Sequence, residues 1–146
     1  MSIARTLSKT LAALALGVLV LSPGFAQSGP PDGSIAINYN RCDGKYEGWG
    51  AHLWTGSTPI AGVSWTSPMP PAGTNDFGAY FHAKLSEFSG GKVNYIIHKG
   101  DTKDQGGRDM SFDGNATKEI WVNNGDRKIY TSLDDAKKAR AAEPCK

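Results

Sequence analysis

Short segments in which apolar and polar side chains alternate follow one another along most of the chain. In the first segment Ile35, Ile37 and Tyr39 alternate with smaller or polar residues, which is the period of a strand with one buried face. The segments are separated by Gly, Pro, Asn and Asp residues, which favour turns. The further strands predicted in this way are 49–54, 60–65, 77–85, 93–98, 120–122 and 128–130.

The last two predicted strands flank Asn123-Asn124-Gly125-Asp126, and an Asn-Gly pair accepts positive φ, so a hairpin is predicted there. Only the tail has a helical pattern. Ser132-Leu-Asp-Asp135 matches a capping box with Asp in place of Glu, and it precedes Ala136 to Ala142. About seven short strands in roughly 100 residues predict an all-β fold, an antiparallel, immunoglobulin-like β-sandwich with a short C-terminal helix.

The N-terminal segment has the composition of a secretory signal peptide. Arg5 and Lys9 precede an apolar run from Leu11 to Leu21, and Gly24 and Ala26 are small residues suited to cleavage. The run of about eleven residues is too short to span a bilayer. We therefore expect export, to the periplasm or out of the cell. The expected organisation is a signal peptide (1–26), a flexible leader (27–33), a β-sandwich (34–131) and a helical, disulfide-bonded tail (132–146).

Charge and length exclude several functional classes. Without residues 1–26 the chain has 14 basic and 14 acidic residues, whereas a protein that binds nucleic-acid backbones needs an excess of Lys and Arg. The remaining length suffices for one domain but not for a catalytic (β/α)₈ barrel, which needs about 250 residues. The hydrolase motifs G-x-S-x-G and H-E-x-x-H are absent from the sequence. We expect no catalysis, no cofactor and no nucleic-acid partner.

The chain contains two cysteines, Cys42 and Cys145. In an oxidising compartment such a pair normally forms a disulfide, and this one would close a loop of about 100 residues. Two free thiols are the alternative. A metal site is disfavoured, because no His or Cys lies at ligand spacing near either cysteine.

The segment Trp49-Gly-Ala-His-Leu-Trp54 contains the main candidates for ligand binding. In a strand, Trp49, Ala51 and Leu53 share a face suited to a core, while His52 and Trp54 lie about 7 Å apart on the opposite face. Two exposed aromatic rings at this spacing could receive consecutive sugar rings, which stack through their C–H faces. In the alternative interpretation, Trp54 is simply covered by the loop that follows it.

The charged loop after the strand 93–98 offers polar groups. Lys103 donates hydrogen bonds and Asp104 accepts them, so the pair suits sugar hydroxyls, although it also fits an ordinary solvated turn. Asp101, Asp104 and Asp109 lack the spacing and the closing Glu of an EF-hand, so no metal site is predicted. The remaining aromatic residues of interest are assigned to the core (Trp65, Trp121) or to strand surfaces (His82, His98).

Seven motifs occur in order between about residues 34 and 131. They are Ile37-Asn-Tyr-Asn-Arg41, Asp43-Gly-Lys-Tyr-Glu-Gly-Trp-Gly50, His52-Leu-Trp54, Asp76-Phe-Gly-Ala-Tyr80, Tyr95-Ile-Ile-His-Lys-Gly-Asp101, Lys103-Asp104 and Glu119-Ile-Trp-Val122. Each motif alone is weak, but the ordered set is specific. Together they resemble the bacterial pullulanase-associated domain, carbohydrate-binding module family 41.

The resemblance implies a non-catalytic β-sandwich that binds α-glucans such as starch, glycogen, pullulan and maltooligosaccharides. In that family two aromatic residues, two apart on one strand, form the sugar platform, and a Lys and an Asp from a later loop complete the site. These positions correspond here to His52, Trp54, Lys103 and Asp104. Many members have Trp where this chain has His52, so the resemblance implies weaker stacking at that position.

Two further residues, Tyr39 and Asp43, are candidates for the border of the site. Since no catalytic domain follows the motifs, we expect a free-standing module whose partners are α-1,4- and α-1,6-linked glucans and, as a further candidate, a separate glycoside hydrolase. The competing hypothesis, motivated by His52 in place of Trp and by the missing enzyme, is an envelope protein-interaction module that has lost sugar binding. An enzyme that cleaves pullulan is the third hypothesis.

Overall fold

The computed structural model describes residues 29–143 and residue 145. In this part of the chain nine strands form two sheets, and one α-helix follows them. The strands are β1 (Ser34–Asn40), β2 (Gly50–Thr55), β3 (Thr58–Pro59), β4 (Gly73–Thr74), β5 (Ala79–Lys84), β6 (Lys92–Lys99), β7 (Thr102–Lys103), β8 (Met110–Asp113) and β9 (Glu119–Asn123), and the helix is α1 (Leu133–Ala142). The expected signal peptide and the start of the expected leader lie outside the described residues.

The first sheet has the strand order β4-β5-β1-β9, so β1 lies in its interior. β1 pairs with β5 in antiparallel orientation, with Ile37 opposite Phe81. On its other side β1 pairs with β9 in parallel orientation, with Ile37 opposite Ile120. The β1–β9 pair therefore departs from the antiparallel arrangement that the sequence predicted.

The second sheet has the strand order β3-β2-β6-β7, and β8 also pairs with β6. β2 and β6 are antiparallel, with Leu53 opposite Tyr95. β8 pairs with the first half of β6 and β7 with its end, where Lys103 lies opposite His98. β7 and β8 thus share the edge of β6 that β2 leaves open.

The two sheets pack face to face around one hydrophobic core. The alternation predicted for β2 and β5 is confirmed, because the residues expected to point inward are buried. β1 is buried on both faces, since Ala36 and Asn38 are enclosed by larger side chains of the neighbouring strands. The largest fully buried apolar and aromatic side chains are Tyr39, Tyr95, Phe81, Ile35, Ile37, Leu53, Ile97, Ile120, Val93 and Val122.

The helix α1 packs on the outer face of the first sheet. Ala136 is fully buried against Phe77 and Trp121, and this contact places Trp121 in a core, as predicted. The Ser132 Oγ accepts a hydrogen bond from the Asp135 backbone N–H at 3.1 Å, so the predicted N-terminal cap is confirmed. The helix begins at Leu133, directly after its cap.

A disulfide joins Cys42 to Cys145, as the sequence predicted. Cys42 lies just after β1, and Cys145 lies just beyond α1. The bond therefore ties the chain beyond the helix to the first sheet.

Two predicted strands are wrong. Residues 60–65 form turns, because Gly62 adopts a φ of +75° and the Val63 N–H bonds to the Ile60 carbonyl at 3.1 Å. Residues 128–130 meet β9 in a single bridge, between Tyr130 and Trp121, instead of forming a full hairpin strand. The sequence also missed β3, β4, β7 and β8, which are two to four residues long and too short to show alternation.

Candidate functional site

β2 presents two aromatic residues on the outer face of the second sheet. Ala51 and Leu53 are fully buried in the core, whereas His52 and Trp54 are half-buried on the opposite side. Their ring centroids lie 5.5 Å apart, and the ring planes differ by 31°. The prediction that these two rings share one outward face is confirmed.

β6 supplies the neighbouring residues of this face. In the antiparallel register Ile96 lies opposite His52, and Asn94 lies opposite Trp54. Directly opposed residues of antiparallel strands project to the same side of a sheet, so all four side chains share the outer face. The Asn94 amide donates a hydrogen bond to the Trp54 backbone carbonyl at 3.1 Å, which ties the two strands together beside the indole.

The loop between β3 and β4 brings a third ring onto the same face. Gly50 leaves room for this loop, since a Cβ at Gly50 would lie 2.7 Å from the Pro68 side chain. Further along the face, Trp65 stacks on the ring of His98 with centroids 3.9 Å apart and planes only 2° apart. The loop therefore crosses one end of the face and leaves the Trp54 end open.

Two sequence predictions about the residues of this face are wrong. Trp65 was expected in the core and is half-buried at the surface, whereas His98 was expected at the surface and is fully buried. The physical reason is the loop, which folds back over the sheet and covers the outward side chain of β6. His98 Nδ1 lies 2.8 Å from the Gly100 carbonyl oxygen, and this hydrogen bond orients the ring beneath Trp65.

Trp54, His52 and Trp65 together form a row of three rings, called the aromatic row below. The His52 and Trp65 centroids are 5.5 Å apart with planes 72° apart, so the row turns sharply at Trp65. It lines a shallow depression of about 280 Å³, close to the smallest ligand clefts of proteins. The rest of its lining consists of Ser57, Pro59, Ile96 and Asp109.

A larger cavity of about 590 Å³ lies beside the disulfide. Its lining includes Cys42, Asn124 and Arg140 but no aromatic residue. Since aromatic rings are what a stacked ligand requires, the aromatic row is the stronger candidate despite its smaller volume.

The hairpin of β6 and β7 supports Trp65 from two directions. Lys103 lies opposite His98 in the register and therefore projects to the outer face, where its Nζ lies 5.2 Å from the Trp65 ring centroid. At this distance a lysine makes a cation–π contact. Asp101 Oδ1 accepts a hydrogen bond from Trp65 Nε1 at 3.3 Å. Lys103 thus lies at the Trp65 end of the aromatic row, and its role in binding a ligand remains a prediction.

Asp104 points in the other direction, into the protein. Because successive residues of an extended chain alternate in direction, an outward Lys103 implies an inward Asp104. Asp104 is only 6% exposed, and both of its carboxylate oxygens accept hydrogen bonds. The donors are the Tyr39 hydroxyl, Asn124 Nδ2 (2.9 Å) and the backbone N–H groups of Gln105 (2.6 Å) and Gly125 (2.8 Å). This burial contradicts the expectation that Asp104 meets a ligand beside Lys103.

The two border candidates lie in different environments. Tyr39 is fully buried and donates to Asp104, so its placement at a ligand border is wrong. Burial and the adjacent carboxylate raise the pKa of the Tyr39 hydroxyl far above its usual range. Asp43 is exposed and accepts two hydrogen bonds from Arg41, at 3.0 and 2.8 Å, and these lower its pKa to about 2. The role of Asp43 at the border remains a prediction.

His52 is held in its neutral form at neutral pH. Partial burial lowers its pKa below the ordinary histidine value, and the nearby His98 acts in the same direction. The Ser64 backbone and Asp109 act in the opposite direction, and burial is the largest of these influences. A neutral imidazole presents an uncharged ring face, which is the form suited to stacking.

Within residues 29–143 and 145, no group of three or more His, Cys, Asp or Glu side chains is arranged to hold a metal ion. The same part of the chain contains no helix with the length and apolar character needed to cross a membrane.

A family model described as "Bacterial pullanase-associated domain" matches residues 33–131, which are 99 of the 146 residues. The chain belongs to this family. The resemblance carried by the sequence motifs is thereby confirmed.

This chain is also similar to parts of larger proteins. An α-amylase of Streptomyces lividans is 38% identical over 68 residues, which are 47% of this chain and 7% of the amylase. A structure described as "Alpha-glucan recognition by family 41 carbohydrate-binding modules from streptococcal virulence factors" has 22% identity and a TM-score of 0.59, covering 72% of this chain and 50% of that one.

A Klebsiella pneumoniae pullulanase complexed with maltotriose has 22% identity and a TM-score of 0.63, covering 84% of this chain and 13% of that one. At this level of identity the likeness shows the fold, and the predicted β-sandwich is confirmed. The chain spans half or less of the length of each of these relatives.

Two residues of the surface were missed by the sequence reasoning, Trp65 and Asp109. Trp65 stands between Ser64 and the run Thr66-Ser67-Pro68, and residues of these types favour turns. That composition was the available signal that Trp65 belongs to a loop. For Asp109 no local signal existed, because its place at the depression follows from the pairing of β8 with β6.

Proposed function

We propose that this pullulanase-associated domain binds α-glucan chains without catalysis, on the aromatic row of Trp54, His52 and Trp65. The observation that carries the proposal is the presence of three half-buried rings, side by side, on one outer sheet face. Membership of the family supports it, as do two related structures, one described as α-glucan recognition and one as a complex with maltotriose.

Trp54 is the main anchor in this proposal, because its indole is larger than the imidazole of His52 and lies at the open end of the face. His52 continues the platform, and Trp65 turns away from it by 72°. A curved row of rings suits the coiled chain of an α-linked glucan better than the flat ribbon of a β-1,4-linked glucan. The shape of the row therefore favours α-linked glucans as ligands.

Two charged side chains complete the proposed site. Lys103 lies beside Trp65 and donates hydrogen bonds, whereas the exposed Asp109 lines the depression and accepts them. Sugar hydroxyls both donate and accept, so the two residues grip neighbouring hydroxyls. Asp109 thus takes the role that the sequence reasoning gave to Asp104.

The affinity we expect is modest, on the order of 10⁻³ to 10⁻⁵ M, because a few stacked rings must offset the ordering of a flexible glycan. The disulfide between Cys42 and Cys145 agrees with an oxidising compartment, and we propose that the protein acts as an exported, free-standing module in the periplasm or outside the cell. A separate glycoside hydrolase that acts on the bound glucan is part of the same proposal.

Isothermal titration of the purified protein with maltoheptaose tests the proposal, with cellohexaose as the control for linkage. We expect saturable binding of maltoheptaose and none of cellohexaose. Retardation in a gel that contains glycogen, compared with a gel without it, is the matching test with a polymer. If neither maltoheptaose nor glycogen is bound, the proposal is wrong and the envelope protein-interaction hypothesis is favoured.

A further inference from the structure

The outer face of the first sheet carries a second pair of rings, on the opposite side of the sandwich. Tyr80 and His82 lie two apart on β5 and are half-buried, like His52 and Trp54 on β2. Their centroids are 4.9 Å apart and their planes differ by 34°, close to the 5.5 Å and 31° of the first pair. The two faces therefore repeat the same local arrangement of rings.

Gly73, in the edge strand β4, determines how Tyr80 lies. Gly73 is opposite Tyr80 in the register, and a Cβ added to it would lie 2.5 Å from the Tyr80 hydroxyl oxygen and 2.8 Å from Cζ. The phenol ring thus rests on the Gly73 backbone, with one ring face against the sheet and the other directed outward. A larger residue at position 73 would displace this ring.

Polar groups surround the Tyr80–His82 pair. Asn38 lies opposite Tyr80 on β1, donates to Glu119 Oε1 at 2.9 Å and accepts from Asn75 Nδ2 at 3.0 Å. Glu119 and Asn75 are half-buried. Asn38 itself is fully buried, so the polar residues beside these rings that keep some solvent exposure are Glu119 and Asn75. A carboxylate next to aromatic rings is also what the aromatic row presents to a sugar, through Asp109.

The open part of this face is small. Trp121, on the same face, is only 7% exposed because α1 and Tyr130 cover it. A stable protein interface buries about 800 Å² per partner, far more than two half-buried rings provide. A strip of this size is sufficient for one or two sugar units, so its dimensions favour a glycan over a protein partner.

We propose that Tyr80 and His82 form a second, weaker glucan-binding platform, an inference that rests on the proposed function for the class of ligand. The facing sheets of a sandwich are about 10 Å apart, and the two platforms face away from each other, so one short oligosaccharide does not reach both. A branched polysaccharide does. One protein molecule therefore bridges two glucan branches and binds the polymer with avidity.

Nuclear magnetic resonance of the Trp54→Ala variant during titration with maltoheptaose tests this platform. We expect chemical-shift changes in β4 and β5 around Tyr80 and His82 to persist in that variant. They should vanish in the Trp54→Ala/Tyr80→Ala double variant, and they should weaken several-fold when Gly73→Ala lifts the phenol from the sheet. Lys84→Gln, on the same strand and exposed, is the control and should change nothing.

Three results overturn the second platform. If the wild type shows shift changes around Trp54 and Trp65 but none on β5, the second platform is wrong and the proposed function stands. If the wild type shows no changes anywhere, both are wrong. If β5 resonances shift with protein concentration in the absence of sugar, the Tyr80–His82 pair is a protein interface and the platform is wrong.

Turbidity with glycogen tests the bridging. The wild type should cross-link glycogen and scatter light, and Trp54→Ala and Tyr80→Ala should each abolish the scattering. Tyr80→Ala should still be retarded in a glycogen gel, because the aromatic row is intact in this variant. Unchanged turbidity of Tyr80→Ala contradicts the bridging.

Discussion

Lys103 and Asp104 are adjacent in the chain, yet they belong to two regions with different tasks. Lys103 joins the aromatic row, where half-buried rings and charged groups keep part of their surface open to solvent. Asp104 joins a group of residues that are hydrogen-bonded to its buried carboxylate, called the Asp104 cluster, that consists of Tyr39, Asp104, Gln105, Asn124 and Gly125. In the proposed function Lys103 faces the ligand, whereas Asp104 holds the sandwich together.

The difference lies in how the hydrogen-bonding capacity of each region is used. In the Asp104 cluster the carboxylate is saturated by donors from β1, from the chain after β7 and from the turn after β9. Removal of a group there leaves buried donors without partners, which is costly. In the aromatic row the same kinds of groups remain free for a ligand, so their loss affects binding more than folding. Four variants or conditions separate the two regions.

The largest expected effect is on stability, from Asp104→Asn. The amide accepts through one oxygen only, so at least one buried donor loses its partner, and we expect a loss of about 3 kcal/mol in the free energy of unfolding. Urea denaturation measures this loss. The control Asp101→Asn, an exposed carboxylate, should cost less than about 0.5 kcal/mol. A fully stable Asp104→Asn with lost maltoheptaose affinity would reverse the assignment of the two regions.

The next effect is on affinity, from Trp65→Ala. This variant removes one ring of the row and uncovers His98, and we expect about a tenfold weaker maltoheptaose affinity, equivalent to about 1.4 kcal/mol. Titration calorimetry measures the affinity, and the imidazole proton resonances report the exposure of His98. Thr66→Ala, an exposed neighbour in the loop, serves as the control. Retained affinity in Trp65→Ala would remove Trp65 from the site.

A smaller loss of affinity is expected for Lys103→Met. The substitution keeps the aliphatic stem beside Trp65 and removes the donor, so the cost is that of one hydrogen bond, about 1 kcal/mol or roughly fivefold in affinity. The free energy of unfolding should be unchanged. Lys99→Met, at the exposed end of β6, is the matched control. An equal loss in both variants would indicate a general charge effect rather than a contact at the aromatic row.

The smallest expected effect is the dependence of stability and of maltoheptaose affinity on pH. The pKa of His52 is lowered by burial, so as pH falls from 7 the unfolded chain binds a proton before the folded one does. The contribution of His52 to stability is therefore fully present above the ordinary histidine pKa and is lost as pH falls below it. Maltoheptaose affinity should also fall as His52 gains its charge beside His98.

The comparison for the pH effect is His82 of the weaker second platform, whose pKa is also lowered by burial. Calorimetric titrations with maltoheptaose at about pH 7 and pH 5, which bracket the ordinary histidine pKa, measure the affinity of each variant. His52→Gln should remove most of the pH dependence of affinity, and His82→Gln, at the weaker second platform, should change it far less. An equally steep pH dependence in His52→Gln would assign the effect to another group.

Local alternation was sufficient to predict the strands that carry the site. β2 has one apolar face and one aromatic face, so the outward direction of His52 and Trp54 followed from a period of two. The helix α1 was equally predictable from the sequence, because Ser132 caps it through a local hydrogen bond. Both features are determined by residues close in sequence.

The features that the sequence did not predict depend on contacts between segments that are distant in the chain. Trp65 reaches the surface because its loop folds over Gly50 and His98, and a residue pattern within the loop does not reveal what lies beneath it. Asp104 is buried because Tyr39 and Asn124 meet it from 65 and 20 positions away. The resemblance to the family placed Lys103 and Asp104 together, and only the alternation of successive side chains where β7 ends separates them.

The central claim is that the outward indole of β2 binds a glucan and that the indole on the other side does not. Maltoheptaose titration of Trp54→Ala tests it most directly, with Trp49→Ala as the matched control. Trp49 is half-buried against the core with the Arg41 guanidinium 4.1 Å from its ring. The account predicts at least a tenfold loss of affinity in Trp54→Ala with little loss of stability, because central aromatic anchors dominate binding. It predicts unchanged affinity and a loss of about 2 kcal/mol of stability in Trp49→Ala. Unchanged affinity in a folded Trp54→Ala variant would contradict it.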